Sequence, residues 1–110
     1  MKRVLAQYKE KLYAFEINEI FFIEAYKRHL FINTENEIFE CAGKLSEEEE
    51  KLARYGFVRC HQGYLVNKQY IRWIDKRDII LKNGKKIMLS KYMKAKVIAS
   101  FNKDIAECHI

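Results

Sequence analysis

The fold of this chain is decided by the stretch Phe57-Val58-Arg59-Cys60-His61-Gln62-Gly63-Tyr64-Leu65-Val66-Asn67. It interrupts an apolar strand pattern, at one point, with cationic, amide and flexible residues. Loops on a rigid β scaffold are the usual place for recognition groups. The stretch therefore predicts a strand that leads into a loop with a recognition surface.

Most of the remaining chain also has strand character. Residues 4–8 and 12–15 predict an edge hairpin, and the continuous apolar run at 20–26 predicts a strand buried on both faces. Further strands are predicted at 30–32, 38–41, 71–75 and 79–82. The pair Asn83-Gly84 predicts a type I′ turn into residues 85–89. The fold class is therefore mostly β.

A first short helix is predicted at about residues 44–55. Ser46 can cap it, and Glu49, three residues later, can complete a capping box. The glutamates at 47–50 suit the positive end of the helix and are expected to be solvated. Gly56 supplies the left-handed residue that ends helices.

A second short helix is predicted at about residues 91–103, with Ser90 as its cap. Its inward face is one apolar stripe at four-residue spacing, formed by Met93, Val97, Phe101 and Ile105. The lysines beside this stripe are expected to stay in water.

Three residues are assigned structural roles by their surroundings. Asn67 is predicted to cap the turn that follows it, and Cys60 to pack as a small apolar residue. Trp73 is expected in the core or at an interface, and not as a platform for stacked bases.

The length and composition bound the class of protein. A chain of 110 residues predicts one domain, residues 1–110, with one principal core. No apolar run approaches the length of a membrane-spanning helix, and the start turns polar too soon for a signal peptide, which predicts a cytoplasmic protein. Cys41, Cys60 and Cys108 are an odd number without Cys-x-x-Cys spacing, so neither a disulfide framework nor a structural zinc site is indicated.

The charge of the chain is uneven. Residues 1–50 hold seven Lys and Arg against eleven acidic residues, a net charge of −4, whereas residues 51–110 hold fourteen against four, a net charge of +10. Clustered cations release condensed counterions when they neutralise phosphates, so the basic half suits a nucleic acid or an anionic membrane. A solvated surface explains the same charge equally well.

Three short polar segments interrupt the apolar strands: Lys27-Arg28-His29, His61-Gln62-Gly63 and Ser90-Lys91-Tyr92. Gln can donate and accept in the bidentate pattern that adenine presents in the major groove, and Lys, Arg or His can contact guanine or phosphate. Each segment alone is weak evidence, because a lone His or Gln in a turn is more often an ordinary surface residue or a backbone cap. Together they form a plausible set of DNA-reading residues.

The order of these elements resembles the LytTR family of bacterial DNA-binding domains over about residues 4–103. The resemblance rests on Phe57-x-Arg59-Cys60-His61, Tyr64-Leu65-Val66-Asn67, Ile71, Ile74, the hairpin into Leu89-Ser90-Lys91 and the early strand Ile20-Phe21-Phe22-Ile23-Glu24. It implies an elongated arrangement of small antiparallel sheets with short helices. Such a domain reads DNA through loops instead of a recognition helix.

The resemblance also implies which residues contact DNA. The base-contacting positions of the family fall on His29, Gln62 and Lys91. The phosphate contacts are expected from Lys27, Arg28 and Lys94. The chain departs from the family pattern at Gly63, where a small hydroxyl residue is common, and at Lys91, where Arg is common. Gly63 is therefore expected to lack a phosphate hydrogen bond, and Lys91 to offer a point charge without a guanidinium fork.

The resemblance further implies the partners. Family members commonly carry a phosphorylatable receiver domain before this one and act as dimers on repeated sites. No receiver is found in this chain, so it is expected to be a fragment of a longer regulator or a stand-alone form. The expected function is sequence-specific binding of double-stranded DNA, without a cofactor, as the output domain of a bacterial transcription regulator.

Other interpretations remain open. The leading one is a small basic β-rich module that binds protein or RNA. A metal site from Cys60-His61 and Cys108-His109 lacks ligand spacing, and a nucleophilic Cys60 and His61 pair is disfavoured because neighbours on a strand point to opposite faces. An enzyme is not expected, since the chain has no Gly-rich phosphate loop, metal spacing or paired carboxylates.

Overall fold

Ten β-strands and two α-helices make up residues 3–103, the part of the chain that the computed structural model describes. The strands are β1 (Arg3–Tyr8), β2 (Lys11–Glu16), β3 (Phe22–Tyr26), β4 (His29–Asn33), β5 (Ile38–Ala42), β6 (Phe57–His61), β7 (Tyr64–Asn67), β8 (Ile71–Ile74), β9 (Asp78–Leu81) and β10 (Lys86–Met88). The helices are α1 (Leu45–Leu52) and α2 (Lys94–Lys103). Three short 3-10 helices cover Ile17–Glu19, Ala53–Tyr55 and Lys68–Tyr70.

The strands form three small antiparallel sheets. The central sheet has the order β5-β4-β3-β7-β6, while β1-β2 and β10-β9-β8 form a two-stranded and a three-stranded sheet. The molecule measures 49 × 30 × 25 Å along its principal axes. The predicted fold class, mostly β with an elongated arrangement of small antiparallel sheets and two short helices, is confirmed.

The central sheet is covered on both faces. Phe22 and Ile23, which are neighbours on β3, belong to two different clusters of buried side chains. β3 lies in the middle of this sheet, between β4 and β7. Phe22 and Ile23 are buried on opposite faces of the strand, as the sequence predicts, but the strand begins only at Phe22 and its last residue, Tyr26, is 58% exposed.

The buried side chains form two clusters instead of the single principal core that the length suggested. The first joins the central sheet to the β1-β2 hairpin through Phe15 and to α1 through Leu52. The second joins it to the three-stranded sheet and to Val97 of α2. β7 contributes Leu65 to one cluster and Val66 to the other, because side chains alternate across a strand. The prediction of one core is wrong because a sheet between two layers separates the apolar side chains into two sets.

The first helix begins two residues earlier than a Ser46 cap would allow. Leu45 is only 4% exposed and already helical, so Lys44 is the N-terminal flanking residue and makes no side-chain cap hydrogen bond. The N–H groups of Glu47 and Glu48 donate to the Lys44 carbonyl instead. The predicted capping box is therefore wrong, because burial of Leu45 determines where the helix begins. Gly56 does end this region, with φ 95° in the left-handed region.

The second helix begins later than predicted. The Ser90 hydroxyl accepts a hydrogen bond from the N–H of Tyr92 at 3.2 Å, but regular helix starts only at Lys94, after one turn. Val97 is fully buried and Phe101 half-buried, which agrees with the predicted apolar stripe. Ile105, the last member of that stripe, lies outside the described residues.

The turn at Asn83-Gly84 is not the predicted type I′ turn. Gly84 has φ 88°, but Asn83 does not have the positive φ that a type I′ turn also requires at that position. The N–H of Gly84 donates to the Leu81 carbonyl at 2.8 Å, and the Asn83 amide accepts from the N–H of Lys85 and donates to the carbonyl of Glu35. The hairpin is confirmed and its turn type is wrong, because side-chain hydrogen bonds of Asn83 hold a different backbone conformation.

The structure confirms the roles predicted for Asn67 and Cys60, but it does not place Trp73 in the core. Asn67 accepts from the N–H of Gln69 at 3.4 Å, as predicted, and its amide also donates to the carbonyl of Ile20 at 2.9 Å. Cys60 is fully buried in the second cluster, as predicted. Trp73 is 51% exposed and is not a core residue. The irregular register between Ile71 and Trp73 places this side chain on the outer face of the three-stranded sheet.

Candidate nucleic-acid interface

Two backbone hydrogen bonds bring three polar segments together at one end of the strands. The N–H of Ala25, near the end of β3, donates to the carbonyl of Gly63 at 2.9 Å. The N–H of Ser90 donates to the carbonyl of Cys60, near the end of β6, at 2.8 Å. We call this the loop end; it comprises the β3–β4 turn (Lys27, Arg28), the β6–β7 turn (Gln62, Gly63) and residues 90–92.

Two other turns lie at the opposite ends of the strands. The Asn83 amide donates to the Glu35 carbonyl, which joins the β9–β10 turn (residues 82–85) to the β4–β5 turn (residues 34–37). β4 runs from the loop end at His29 to this opposite end at Asn33. We call it the far end.

The β3–β4 turn presents two exposed cations. Lys27 and Arg28 have φ values of 47° and 69°, and Tyr26 pairs with His29 directly across the turn. Two positive φ values in a two-residue hairpin are the pattern of a type I′ turn, normally formed by Asn and Gly. Each residue with a side chain costs about 1–2 kcal/mol in this conformation. The hairpin therefore presents two positive charges at its tip, although the backbone conformation there is strained.

The β6–β7 turn is held by Arg59. Its Nε donates to the carbonyl of His61 at 2.9 Å, and its Nη2 donates to the carbonyl of Gln62. Its Nη1 donates to Oε1 of Glu49 on α1 at 2.8 Å. One guanidinium thus fixes two consecutive loop carbonyls and anchors them to a helix, while the Gln62 side chain itself stays exposed.

The role of Glu49 differs from the one that the sequence predicted. Glu49 is not simply solvated, because its carboxylate pairs with Arg59 and the two side chains are 32% and 19% exposed. Arg59 was identified only as part of a motif. The signal that could have found it is an Arg inside an otherwise apolar strand, since a half-buried guanidinium needs partners.

His61 supports the same turn from the other side. Its Nδ1 accepts a hydrogen bond from the N–H of Gly63 at 3.0 Å, so this nitrogen carries no proton in the arrangement. The imidazole also packs beside Tyr64, with 5.2 Å between ring centroids. Gly63 does not have a positive φ, and a Cβ there would lie 3.5 Å from the Ala25 carbonyl oxygen, an ordinary contact distance.

Cys60 lies next to the turn, and its thiol is buried and unreactive. Burial raises the pKa of the Cys60 thiol to about 12, so the thiol is protonated at neutral pH. Its Sγ faces the carbonyl oxygen of Tyr64 at 3.8 Å, while Nδ1 of His61 is occupied by Gly63. A nucleophilic pair of Cys60 and His61 is thus disfavoured by the thiol's protonation and by the histidine's other contact.

Residues 91 and 92 project from the loop end. Lys91 is exposed, and its Nζ lies 5.4 Å from the centroid of the Tyr92 ring. Tyr92 is 88% exposed, the most exposed of the large hydrophobic side chains within residues 3–103. Contact with this ring restricts the conformations of the lysine side chain and leaves its ammonium group exposed to solvent.

His29 is the first residue of β4 and not a loop residue. Its Nδ1 lies 2.8 Å from Oε2 of Glu40, although the pair lacks the angles of a good hydrogen bond and Nδ1 is shielded from solvent. The short distance places the carboxylate against this nitrogen. Nε2 is therefore the ring atom left for a partner outside the chain.

Lys94, the third residue expected on phosphates, contacts the protein itself. Its Nζ donates to the carbonyl of Lys76 at 3.2 Å, in the turn between β8 and β9. An ammonium has three donors, so two remain. The structure thus places Gln62, Lys91, Lys27 and Arg28 outward at the loop end, with His29 at its edge and Lys94 beside a fourth turn.

Residues 3–103 contain neither a cluster of metal ligands nor a membrane-spanning helix. No three His, Cys, Asp or Glu side chains of this part of the chain come close enough to hold a metal ion. None of its helices combines the length and apolar character needed to cross a bilayer. Cys108 and His109, the second half of the metal pair considered from the sequence, lie outside the described residues.

Comparison with known proteins gives relatives of one kind. The sensory transduction protein LytT of Enterococcus faecalis is 26% identical over 90 residues, which cover 77% of this chain and 37% of that protein. The transcriptional regulatory protein YpdB of Escherichia coli K12 is 32% identical over 66 residues, which cover 60% of this chain and 27% of that protein. The chain thus spans well under half the length of these relatives.

A solved structure has the same fold. It is the LytTr DNA-binding domain of a Bacillus cereus protein described as a methyl-accepting/DNA response regulator. The two structures superpose with a TM-score of 0.78 at 20% identity, covering 91% of this chain and 96% of that one. The profile of the family described as the LytTr DNA-binding domain matches residues 10–102. This chain belongs to the LytTr DNA-binding domain family.

Proposed function

We propose that this domain binds double-stranded DNA sequence-specifically through the loop end. Gln62, Lys91 and Nε2 of His29 contact base edges, and Lys27 and Arg28 contact phosphates on either side. Lys94 contributes a phosphate contact with the donors that Lys76 leaves unused. The observation that carries the proposal is the pair of backbone hydrogen bonds, Ala25 to Gly63 and Ser90 to Cys60, which join three distant segments into one surface.

The chemistry of this surface suits the two parts of DNA recognition. Exposed cations on mobile stems neutralise phosphates without regard to sequence and supply most of the affinity. An amide held on a fixed loop can make the paired donor and acceptor contact that distinguishes adenine. Arg59 binds the carbonyls of His61 and Gln62, and we call this pair of contacts the Arg59 clamp. The clamp supports the proposal, because base readout requires the backbone beneath Gln62 to be held in one place.

The names of its relatives support a setting for the domain. We infer that it is the output part of a bacterial transcription regulator in the cytoplasm, with a receiver domain upstream. Binding as a dimer to repeated sites belongs to the same proposal. The proposed function requires no cofactor and no catalytic activity, because the domain acts by binding to its DNA site.

The test is selection of bound duplexes from a random pool, followed by titration of the selected and a scrambled duplex. We expect Gln62→Ala and Lys91→Ala each to reduce discrimination between the two duplexes about fivefold or more, because a good base contact contributes roughly 1–3 kcal/mol. Gln69→Ala and Lys85→Ala are the matched controls. Both residues are exposed and lie away from the loop end.

Two outcomes would overturn the proposal. One is that Gln62→Ala and Lys91→Ala both discriminate between the selected and the scrambled duplex as well as the wild-type domain does. The other is equal binding of an RNA duplex of the same sequence, since the major groove of A-form RNA is too deep and narrow for side chains to read. That second result would favour the small basic RNA-binding module.

A further inference from the structure

A fourth turn, between β8 and β9 (residues 75–77), is attached to the loop end. The N–H of Leu89 donates to the carbonyl of Arg77 at 2.7 Å, and Leu89 immediately precedes residues 90–92. The Nζ of Lys94 donates to the carbonyl of Lys76 at 3.2 Å. No sequence pattern singles out this turn, because its charges lie in an ordinary short connection between strands.

The turn is preorganised by its own aspartate. Oδ1 of Asp75 accepts from the N–H groups of Arg77 and Asp78, each at 3.3 Å, and the N–H of Asp75 donates to the carbonyl of Asp78 at 3.0 Å. These contacts hold the backbone and leave the side chains of Lys76 and Arg77 outside it. Both are exposed, and neither takes part in an ion pair within residues 3–103.

The β9–β10 turn at the far end offers a direct comparison. It carries Lys82 and Lys85 without an acidic residue of its own, whereas Asp75 and Asp78 flank the two cations of the β8–β9 turn. Net charge within the turn alone would favour the far-end turn, but that turn is joined to the β4–β5 turn, whose Glu35 and Glu37 offset its lysines. Position favours the β8–β9 turn, because only this turn is bonded to the segment that holds Lys91.

We propose that Lys76 and Arg77 form an additional phosphate-contacting site that extends the DNA-binding surface along the backbone beyond Lys91. This inference rests on the proposed function of the loop end. The site takes phosphodiester groups of duplex DNA and carries no sequence information. Its contribution depends on position, not on the total charge of the domain.

The experiment compares two double variants with the same loss of charge, Lys76→Ala/Arg77→Ala and Lys82→Ala/Lys85→Ala. Binding of selected and scrambled duplexes is titrated at several salt concentrations. We expect the first variant to weaken binding to both duplexes and to flatten the dependence of log K on log salt by about 1–2, because each lost phosphate contact removes roughly 0.9 from the slope. The second variant is expected to change the slope by less than about 0.5.

A charge-preserving exchange controls for structural damage. Lys76→Arg/Arg77→Lys retains both charges and is expected to keep the wild-type slope, because a phosphate contact at this site needs a charge and not a particular fork. All variants are first compared by circular dichroism and thermal unfolding.

The outcomes separate this inference from the proposed function. Equal weakening by the two double variants, together with reduced discrimination in Gln62→Ala, would overturn the fourth-turn site and leave the loop-end proposal standing. Absence of duplex binding by the wild-type domain would overturn both. A flattened slope in the first variant alone would support the site.

Discussion

The β3–β4 turn and the β6–β7 turn lie side by side at the loop end, and both join their strands through two residues, but they are held in different ways. Lys27 and Arg28 adopt the left-handed conformation, and the described residues show no ion pair to either. Gln62 and Gly63 have no positive φ, and three groups hold their backbone: the Arg59 guanidinium, the His61 imidazole and the N–H of Ala25.

The difference corresponds to two kinds of contact with DNA. Phosphate binding needs charge near the backbone and tolerates small displacements of the side chain. Base readout needs donor and acceptor atoms whose positions are fixed to a fraction of an ångström. We therefore interpret the β3–β4 turn as a charged tip and the β6–β7 turn as a positioned reader.

The largest expected effect comes from removing the clamp of the β6–β7 turn. Arg59→Gln loses the bonds to the carbonyls of His61 and Gln62 and leaves Glu49 without its cation. We expect about 1–3 kcal/mol of lost stability, as for other broken charged hydrogen bonds, and a loss of discrimination of at least tenfold. Thermal unfolding and duplex titration measure the two effects.

Glu49→Gln is the control for this prediction. It removes the charge of the partner but leaves both bonds from Arg59 to the loop carbonyls, so discrimination should stay near the wild-type value. If Glu49→Gln and Arg59→Gln reduce discrimination equally, the ion pair and not the grip on the loop carbonyls is responsible. Unchanged discrimination in Arg59→Gln would remove the distinction between the two turns.

An intermediate effect is expected from the strain in the β3–β4 turn. Arg28→Gly and Arg28→Ala lose the same charge, so both should weaken binding to every duplex alike and flatten the salt slope by about 1. Only glycine relieves the φ of 69°, so Arg28→Gly should be more stable than Arg28→Ala by about 1 kcal/mol. Equal melting temperatures of the two variants would show that the turn carries no strain.

The smallest expected effect comes from restoring the hydroxyl that the family pattern has at position 63. A Cβ at Gly63 would meet two ordinary contacts, 3.5 Å from the Ala25 carbonyl oxygen and 3.6 Å from Nδ1 of His61, so Gly63→Ser and Gly63→Ala should both fold normally. Gly63→Ser is expected to bind all duplexes about threefold to tenfold more tightly than Gly63→Ala, because a hydroxyl can donate to a phosphate. Equal affinities would indicate that this position does not face the DNA backbone. Titration at one fixed salt concentration is sufficient.

Local patterns predicted most of the fold. The order of strands, both helices and the ending of the first helix region at Gly56 follow from periodicity and from residues with special backbone preferences. The errors occur where tertiary contacts outweigh local ones. Ser46 does not cap because burial of Leu45 starts the helix earlier, and Trp73 is exposed because the β8–β9 register is irregular.

The candidate site was only partly predictable. The cations and Gln62 are visible in the sequence because they interrupt apolar strands. The clamp was missed, since Arg59 and Glu49 are ten residues apart and only the packing of α1 beside β6 brings them together. The turn that holds Lys76 and Arg77 was missed for the same reason.

The sequence by itself determined the family, the mostly β fold and the types of side chain available for contact with DNA, because alternation, turn residues and charge are local properties. Only the tertiary structure decided which of these side chains share a surface. Hydrogen bonds from Ala25 to Gly63, from Ser90 to Cys60 and from Leu89 to Arg77 join segments that are far apart in the chain. Such contacts depend on the relative placement of sheets, and no pattern within a single segment encodes that placement.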